Sequence, residues 1–359
     1  MTSNFAYRYV SLTPEHTTST GVRSYGTKSN MTASGTLYGE VDDESFALNF
    51  DLLTRGDMSR YGAAKSINGK EYSEGGINLV MQPDDTLGLL LYAMYGDNTG
   101  CDSTGYSVSS FTHTWKEVKD LILPSFTIDV GREENEHRYT GMCLTSLSIS
   151  ASHGEYATIS ADFTGKSESG VDTLTASPAF GGAALDGFHF ANGTVAFSSA
   201  GSSSATLTNV KSVSLEFNMN LDTDAACSIG SRTYIRQPQP QMREITGTIE
   251  FSNANTSSSD GNTPDYETAL STGGALWDGT ASHPAIQLDF TNSNQSLAIE
   301  IRKVRWEAPQ QNVSGRDTST LTMSFVALVD VADEVMSTCV LTHTAASTAL
   351  ATGVKYSKV

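Results

Sequence analysis

Apolar residues recur at every second position along much of this chain. Phe46-x-Leu48-x-Phe50, Phe126-x-Ile128-x-Val130 and Leu147-x-Ile149-x-Ala151 have the pattern, and so do Val213-x-Leu215-x-Phe217, Ile286-x-Leu288-x-Phe290 and Leu321-x-Met323-x-Phe325. Successive side chains of a strand point to opposite faces, so this period builds half-buried antiparallel strands with polar Thr, Ser, Asn and Asp on the wet face. Gly, Asn and Asp punctuate the runs, as turns require. The chain is therefore expected to be mainly β, with sheets packed on one another or on helix.

Helical spacing is rare. Asp84 after Pro83 is placed to cap a helix in which Leu87, Leu90, Leu91 and Met94 share a face, with Gly96 to end it. Asp265 after Pro264 opens a shorter version, with Tyr266, Ala269 and Leu270 before Gly273. Helix is expected at about Asp84 to Tyr95 and Asp265 to Ser271.

Two Pro-Asp helix starts suggest an internal repeat. Ser45-Phe-Ala-Leu-Asn-Phe50 aligns with Ser212-Val-Ser-Leu-Glu-Phe217, Pro124 to Val130 with Pro284 to Phe290, and Thr158 to Phe163 with Thr320 to Phe325. The order of strand, helix, Pro-initiated strand and final strand is kept. Differences fall where loops tolerate them: Ser252 to Thr263 is extra in the second half, and Asp97 to Leu123 is long in the first. Small residues from Gly165 to Ala184 have the composition of a linker. The expected organisation is a first domain over 1–168 with an N-terminal arm, a linker over 169–185, a second domain over 186–334 and a C-terminal extension over 335–359.

Charge then narrows the function. Forty acidic against 22 basic side chains give −18, which disfavours a protein that holds phosphates by releasing counterions. No apolar run approaches the roughly 20 residues that span a bilayer, and the first residues show no basic-then-apolar export signal. Cys101, Cys143, Cys227 and Cys339 are too far apart for a metal knuckle or a disulfide framework, and read as free thiols.

Catalytic templates fail in turn. Gly69-Lys70 is followed by Glu71 and preceded at the wrong spacing by Gly62, so no phosphate loop forms; Gly-x-Ser-x-Gly and HExxH are missing. The densest charge cluster, Asp129 to Arg138, offers Glu133 and Glu136 as an acid and base pair or as cation ligands. Its plainer reading, preferred here, is a solvated hairpin tip between a strand ending at Val130 and one beginning near Tyr139. Arg55-Gly56-Asp57 spells an adhesion tripeptide, a chance match at this length. No catalytic, cofactor-binding or metal site is expected, and the chain is read as a non-enzyme.

A duplicated β scaffold of this kind points to assembly through sheet edges. Gly76-Ile-Asn-Leu-Val-Met81, the helix Thr86 to Gly96, Leu123-Pro-Ser-Phe-Thr-Ile-Asp-Val-Gly131, Tyr139 to Ala151 and Ala161 to Lys166 together resemble the phage tail tube proteins of long-tailed, non-contractile phages. The match covers roughly residues 75 to 166; the second half carries only the echo described above. The resemblance implies two tandem β-sandwich or barrel domains, each with a short helix, and strands that join across subunits into a lumen-lining barrel. It implies stacked rings in the virion tail, assembled in the host cytoplasm. The implied partners are the chain itself, a tape measure protein and tail-end proteins; genomic DNA passes through without specific binding, and no membrane is involved. Six tube domains per ring, two per chain, make the expected ring a homotrimer, with a hexamer carrying the second half as decoration as the alternative. The competing reading is an extracellular two-domain β-sandwich adhesin or fibre.

Overall fold

The structure is a computed structural model that describes residues 8–15, 25–26, 37–56, 58–63, 65–96, 111–117, 123–133, 135–175, 178, 180, 186–198, 205–207, 209–252, 285–293, 295–308, 310–312, 320–331 and 334–343. The first half contributes β1 (Tyr9–Pro14), β2 (Leu37–Gly39), β3 (Asp43–Glu44), β4 (Ala47–Arg55), β5 (Lys65–Val80), helix α1 (Asp85–Tyr95), β6 (Phe111–Lys116), β7 (Phe126–Arg132), β8 (Asn135–Ser152), β9 (Thr158–Gly165) and β10 (Ser167–Thr173). The second contributes β11 (Gly193–Ser198), β12 (Ala205–Thr206), β13 (Val210–Asn218), β14 (Leu221–Asp222), β15 (Gln239–Pro240), β16 (Glu244–Phe251), β17 (Ala285–Asn292), β18 (Gln295–Ile301), β19 (Val304–Trp306), β20 (Gln310–Asn312), β21 (Thr320–Ala327) and β22 (Ser337–His343). The protein is mainly β, with α1 the single α-helix among the described residues. The second expected helix, 265–271, lies outside them.

Strands β4, β5, β9, β8, β13, β16 and β21 hydrogen-bond in that order, and β19 and β20 both lie on the far edge of β21. This inner sheet runs without interruption from one half into the other. Its alternation does what the sequence pattern requires: in β9, β13, β16 and β21 every second residue is buried. Each such Leu, Ile or Phe removed from water stabilises the fold by roughly 1.5–3 kcal/mol.

An outer layer covers the apolar face. In the first half β2, β1, β7 and the start of β8 pair in order, with β10 on the other side of β8. In the second half β12, β11, β17 and β18 do the same, with β22 on the other side of β18. Phe126 of β7 meets Phe163 of β9 edge to face, and Phe197 of β11 meets Trp306 of β19 likewise. Tyr92 of α1 also packs on the Phe126 ring, and β7 is buried at every position but its last. One hydrophobic cluster contains residues of both halves.

Strand β8 belongs to both layers, pairing with β7 and β10 over its first part and with β9 and β13 over its last. It turns between them at Gly141, whose φ of +68° is left-handed and where a Cβ would stand 2.9 Å from the Tyr25 ring. The helix start matches expectation, for Asp84 accepts from the Leu87 amide at 2.9 Å and Gly96 ends the helix.

Two strands, β1 and β22, lie within the stretches that composition assigns to the arm and the extension. β1 is buried along its whole length, and Glu15 just after it is buried. Its carboxylate accepts from the amides of Gly26 and Gly141 and the hydroxyls of Ser125 and Thr127 at 2.6 to 3.0 Å. β22 buries Cys339 and Leu341 in the outer layer, and Ser167–Thr173, within the Gly- and Ser-rich stretch, is strand β10. Short segments rich in Ser and Thr read as loops by composition, yet a neighbouring strand satisfies their backbone groups and makes them sheet.

Candidate assembly interface

The two inner-sheet strands that open the repeats, β4 and β13, have the same alternation and opposite surroundings. β13 lies between β16 and β8, its residues Ser212 to Asn218 in register with Ser152 to Ser146. Val213, Leu215 and Phe217 are accordingly buried. β4 pairs with β5 on one side only. Phe46 is buried, Leu48 is half-buried, and Phe50, the counterpart of Phe217, is 54% exposed. The expectation that Phe46, Leu48 and Phe50 form a half-buried row therefore holds for the first and fails for the last, because among the described residues no strand pairs with the outer edge of β4.

The opposite end of the sheet is its mirror in role. β19 and β20 occupy the position relative to β21 that β8 has relative to β9: Gln310 stands opposite Thr322 as Ser148 stands opposite Ser160. β8 uses its other edge to hold β13. Among the described residues no strand pairs with the corresponding edge of β19 and β20. The sheet thus ends in two unpaired edges, whose counterparts meet inside the chain.

The wet face of this sheet is dense in hydroxyls: Ser146, Ser148 and Ser150 of β8 stand across from Asp162, Ser160 and Thr158 of β9, and Thr246 and Thr248 of β16 across from Glu216 and Ser214 of β13. Glu74, Asp162, Glu216, Glu244 and Glu250 are carboxylates on these strands. Lys211 pairs with Glu250 at 2.9 Å.

The junction between halves has two further ties. β6, from the long loop of the first half, pairs with β22 of the second. Glu117 just after it forms a 2.8 Å ion pair with Arg243 ahead of β16, both side chains largely buried. Burial pushes the Glu117 carboxyl up, against the pull of Arg243.

The charge cluster from Asp129 to Arg138 is a hairpin, but only partly the solvated tip expected of it. Glu133 sits exposed in the turn at φ +50°. Glu136 is buried, held by the Tyr9 hydroxyl, by the Thr175 hydroxyl at 3.2 Å and by Arg138 at 3.1 Å. Buried Asp129 takes the Arg138 Nε at 2.8 Å. The candidate acid and base pair is therefore split between solvent and core, since Glu133 lies in the turn while Glu136 lies on β8 and faces inward. A cleft of about 940 Å³ beside this hairpin is lined by Glu40, Asp42, Asp43, Glu44 and Arg132. Its guanidinium is taken by Glu44 at 2.7 and 2.8 Å and by the Phe46 carbonyl. Among the described residues no group of three or more His, Cys, Asp or Glu could hold a metal ion, and no helix is long and apolar enough to cross a membrane. Cys143 and Cys339 are both buried, and the Cys143 thiol donates to the Gly141 carbonyl at 3.7 Å. Asp57 and Cys101 lie outside the described residues.

Sequence reasoning missed the long β4–β5 hairpin, which carries Leu52, Leu53, Met58, Tyr61 and Ile67 exposed. The available signal was adjacent apolar residues, Leu52-Leu53, which a half-buried strand cannot place on one face.

Among the described residues, then, the inner sheet has a covered internal junction and two edges on which no strand pairs. The family model for phage tail tube proteins matches residues 10–327, and the chain belongs to that family. It is a structural tail protein of the virion that self-assembles into a tube. No curated protein matches it.

Proposed function

We propose that three chains close a ring in which β4 of each chain pairs with β19 and β20 of the next, in the way β13 pairs with β8 within the chain. Each chain is two tube domains in tandem, about 1–168 and 186–334, and the ring has six inner-sheet units with approximate sixfold shape. The observation that carries this is the exposure of Phe50 and Leu48, where their counterparts Phe217 and Leu215 are covered. The recurrence of the same strand pairings in both halves supports the duplication.

In such a ring the wet face of the sheet lines the lumen. Serine and threonine hydroxyls with scattered carboxylates give phosphates nothing to hold, so genomic DNA slides through stacked rings without specific binding. Long non-contractile tails assembled in the host cytoplasm around a tape measure protein and ended by tail-end proteins are the setting this reading implies. The family match favours it over the adhesin or fibre reading.

Native mass spectrometry of isolated rings tests the count. Three chains are expected. Six would place the second half outside a hexameric ring and overturn the trimer.

A further inference from the structure

Beyond the end of the inner sheet, the β4–β5 hairpin continues alone. β5 pairs with β9 only from Ser73 to Val80, and its earlier residues pair only with β4. The base is braced where the Glu71 amide donates to the Arg232 carbonyl and Lys70 lies over the Tyr72 and Tyr234 rings. The rest stands clear, with Met58 and Tyr61 at the tip fully exposed. Such a large exposed apolar surface marks a contact site.

The in-ring contact does not use it. In the equivalent junction inside the chain, β8 covers β13 from Ser212 to Asn218, which corresponds to 45–51 in the first half. The hairpin beyond Leu52 overshoots that ladder along the strand direction.

An apolar groove lies at the other end of the same sheet. Val80 pairs with Thr158 and Thr158 with Ser150, so the turn after β8 is at the end opposite the hairpin. Phe190 rests on that turn, its amide donating to the Glu155 carbonyl and its ring 4.8 Å from His153, and is 42% exposed. Beside it opens a groove of about 200 Å³ lined by Val195, Leu207, Val210 and Leu288. That is below the roughly 300–1,000 Å³ of small-ligand sites and suits an inserted side chain.

We infer that the β4–β5 hairpin of one ring inserts its tip, Tyr61 with Met58, into the Phe190 groove of a second copy of this chain in the adjacent ring. This rests on the ring reading above. Charge favours this occupant: residues 55–65 carry Arg55, Arg60 and Lys65 against Asp57, while the chain as a whole is −18, Glu155 and Asp186 stand exposed at the same end of the sheet as the groove, and Lys211 in the groove lining is paired with Glu250. A protrusion at one end and a groove at the other form a heterologous contact, which propagates into an open stack. The second half lacks such a hairpin, since residues 219–243 fold back on themselves through β14 and β15 and the bond from the Ile235 amide to the Ala226 carbonyl. Each ring therefore presents three keys and not six, and successive rings stack in threefold register.

The test uses the full chain with Tyr61→Asp. Losing a central aromatic anchor is expected to raise the concentration needed for tube growth about thirtyfold, while native mass spectrometry still finds rings. Tubes growing at the wild-type concentration would overturn the inference, and so would loss of the rings themselves, which would assign the tip to the in-ring contact. Independently, Tyr61→Cys with Phe190→Cys, oxidised in assembled tubes, should give a ladder of disulfide-linked chains absent from either single variant and from separated rings; no ladder would overturn the groove assignment. Six-chain rings that still cross-link between rings would overturn the trimer and leave this contact standing.

Discussion

β4 and β13 are the same sentence written in two contexts. Ser45-Phe-Ala-Leu-Asn-Phe50 and Ser212-Val-Ser-Leu-Glu-Phe217 alternate identically, yet Phe217 is buried and Phe50 is not. Burial is a property of the neighbour as much as of the residue. β13 has β8 beside it in the chain, whereas among the described residues no strand pairs with the outer edge of β4, the kind of edge that soluble monomers avoid. On the proposed ring reading, the internal junction is the template for the contact between chains.

The sharpest way to break the comparison is a pair of truncations. Phe217→Ala should destabilise the folded chain by about 3–5 kcal/mol, read as a lower denaturation midpoint, since a large buried ring is lost. Phe50→Ala should change monomer stability by no more than about 0.5 kcal/mol while preventing ring formation, read by native mass spectrometry. Equal destabilisation by both would mean that β4 is already covered within the monomer.

A second test concerns what the internal junction has beyond strand pairing. Arg243→Met leaves the Glu117 carboxylate buried without its cation, a loss expected to cost about 3 kcal/mol or more. Glu117→Gln together with Arg243→Met should recover much of it, and a double variant as unstable as the single one would show that the pair is not coupled. Chain-to-chain contacts should be indifferent to either change once the fold is restored.

The smallest effect is a pH dependence at the helix that packs near the junction. Burial raises the Asp84 carboxyl to about 6, against the Leu87 and Thr86 amides that pull it down. A raised acid binds its proton more tightly when folded, so its favourable contribution is full below about pH 4 and is lost as pH rises through about 6. The loss is at most about 3 kcal/mol. Asp84→Asn keeps the cap and should flatten the stability profile across that window, measured by denaturant midpoints from pH 4 to 7. An unchanged slope would exclude Asp84 as its source.

Much of the scaffold was legible because it rests on local rules. Period-two runs marked β4, β7, β8, β13, β17 and β21, and Pro83-Asp84 with Gly96 marked α1 to within a residue. The buried half of the charge cluster was not legible: nothing near Glu136 in sequence announces Tyr9, 127 residues away. Nor did composition distinguish β10 or β22 from loop, because Ser, Thr and Gly become strand only when a partner strand satisfies them.

By itself, then, the sequence determined the class of fold, the strand periodicity, the single described helix and its cap, and a net charge of −18. Periodicity and capping act over a few residues, so neighbours in the chain suffice to specify them. Only the tertiary structure decided which of two equal strands is covered and which is left bare, that both halves share one sheet through β8 and β13, and that an apolar hairpin and an apolar groove stand at opposite ends of it. Those outcomes depend on pairing between residues far apart in the chain, and a pattern that reads the same in β4 and β13 cannot say which of them has a neighbour.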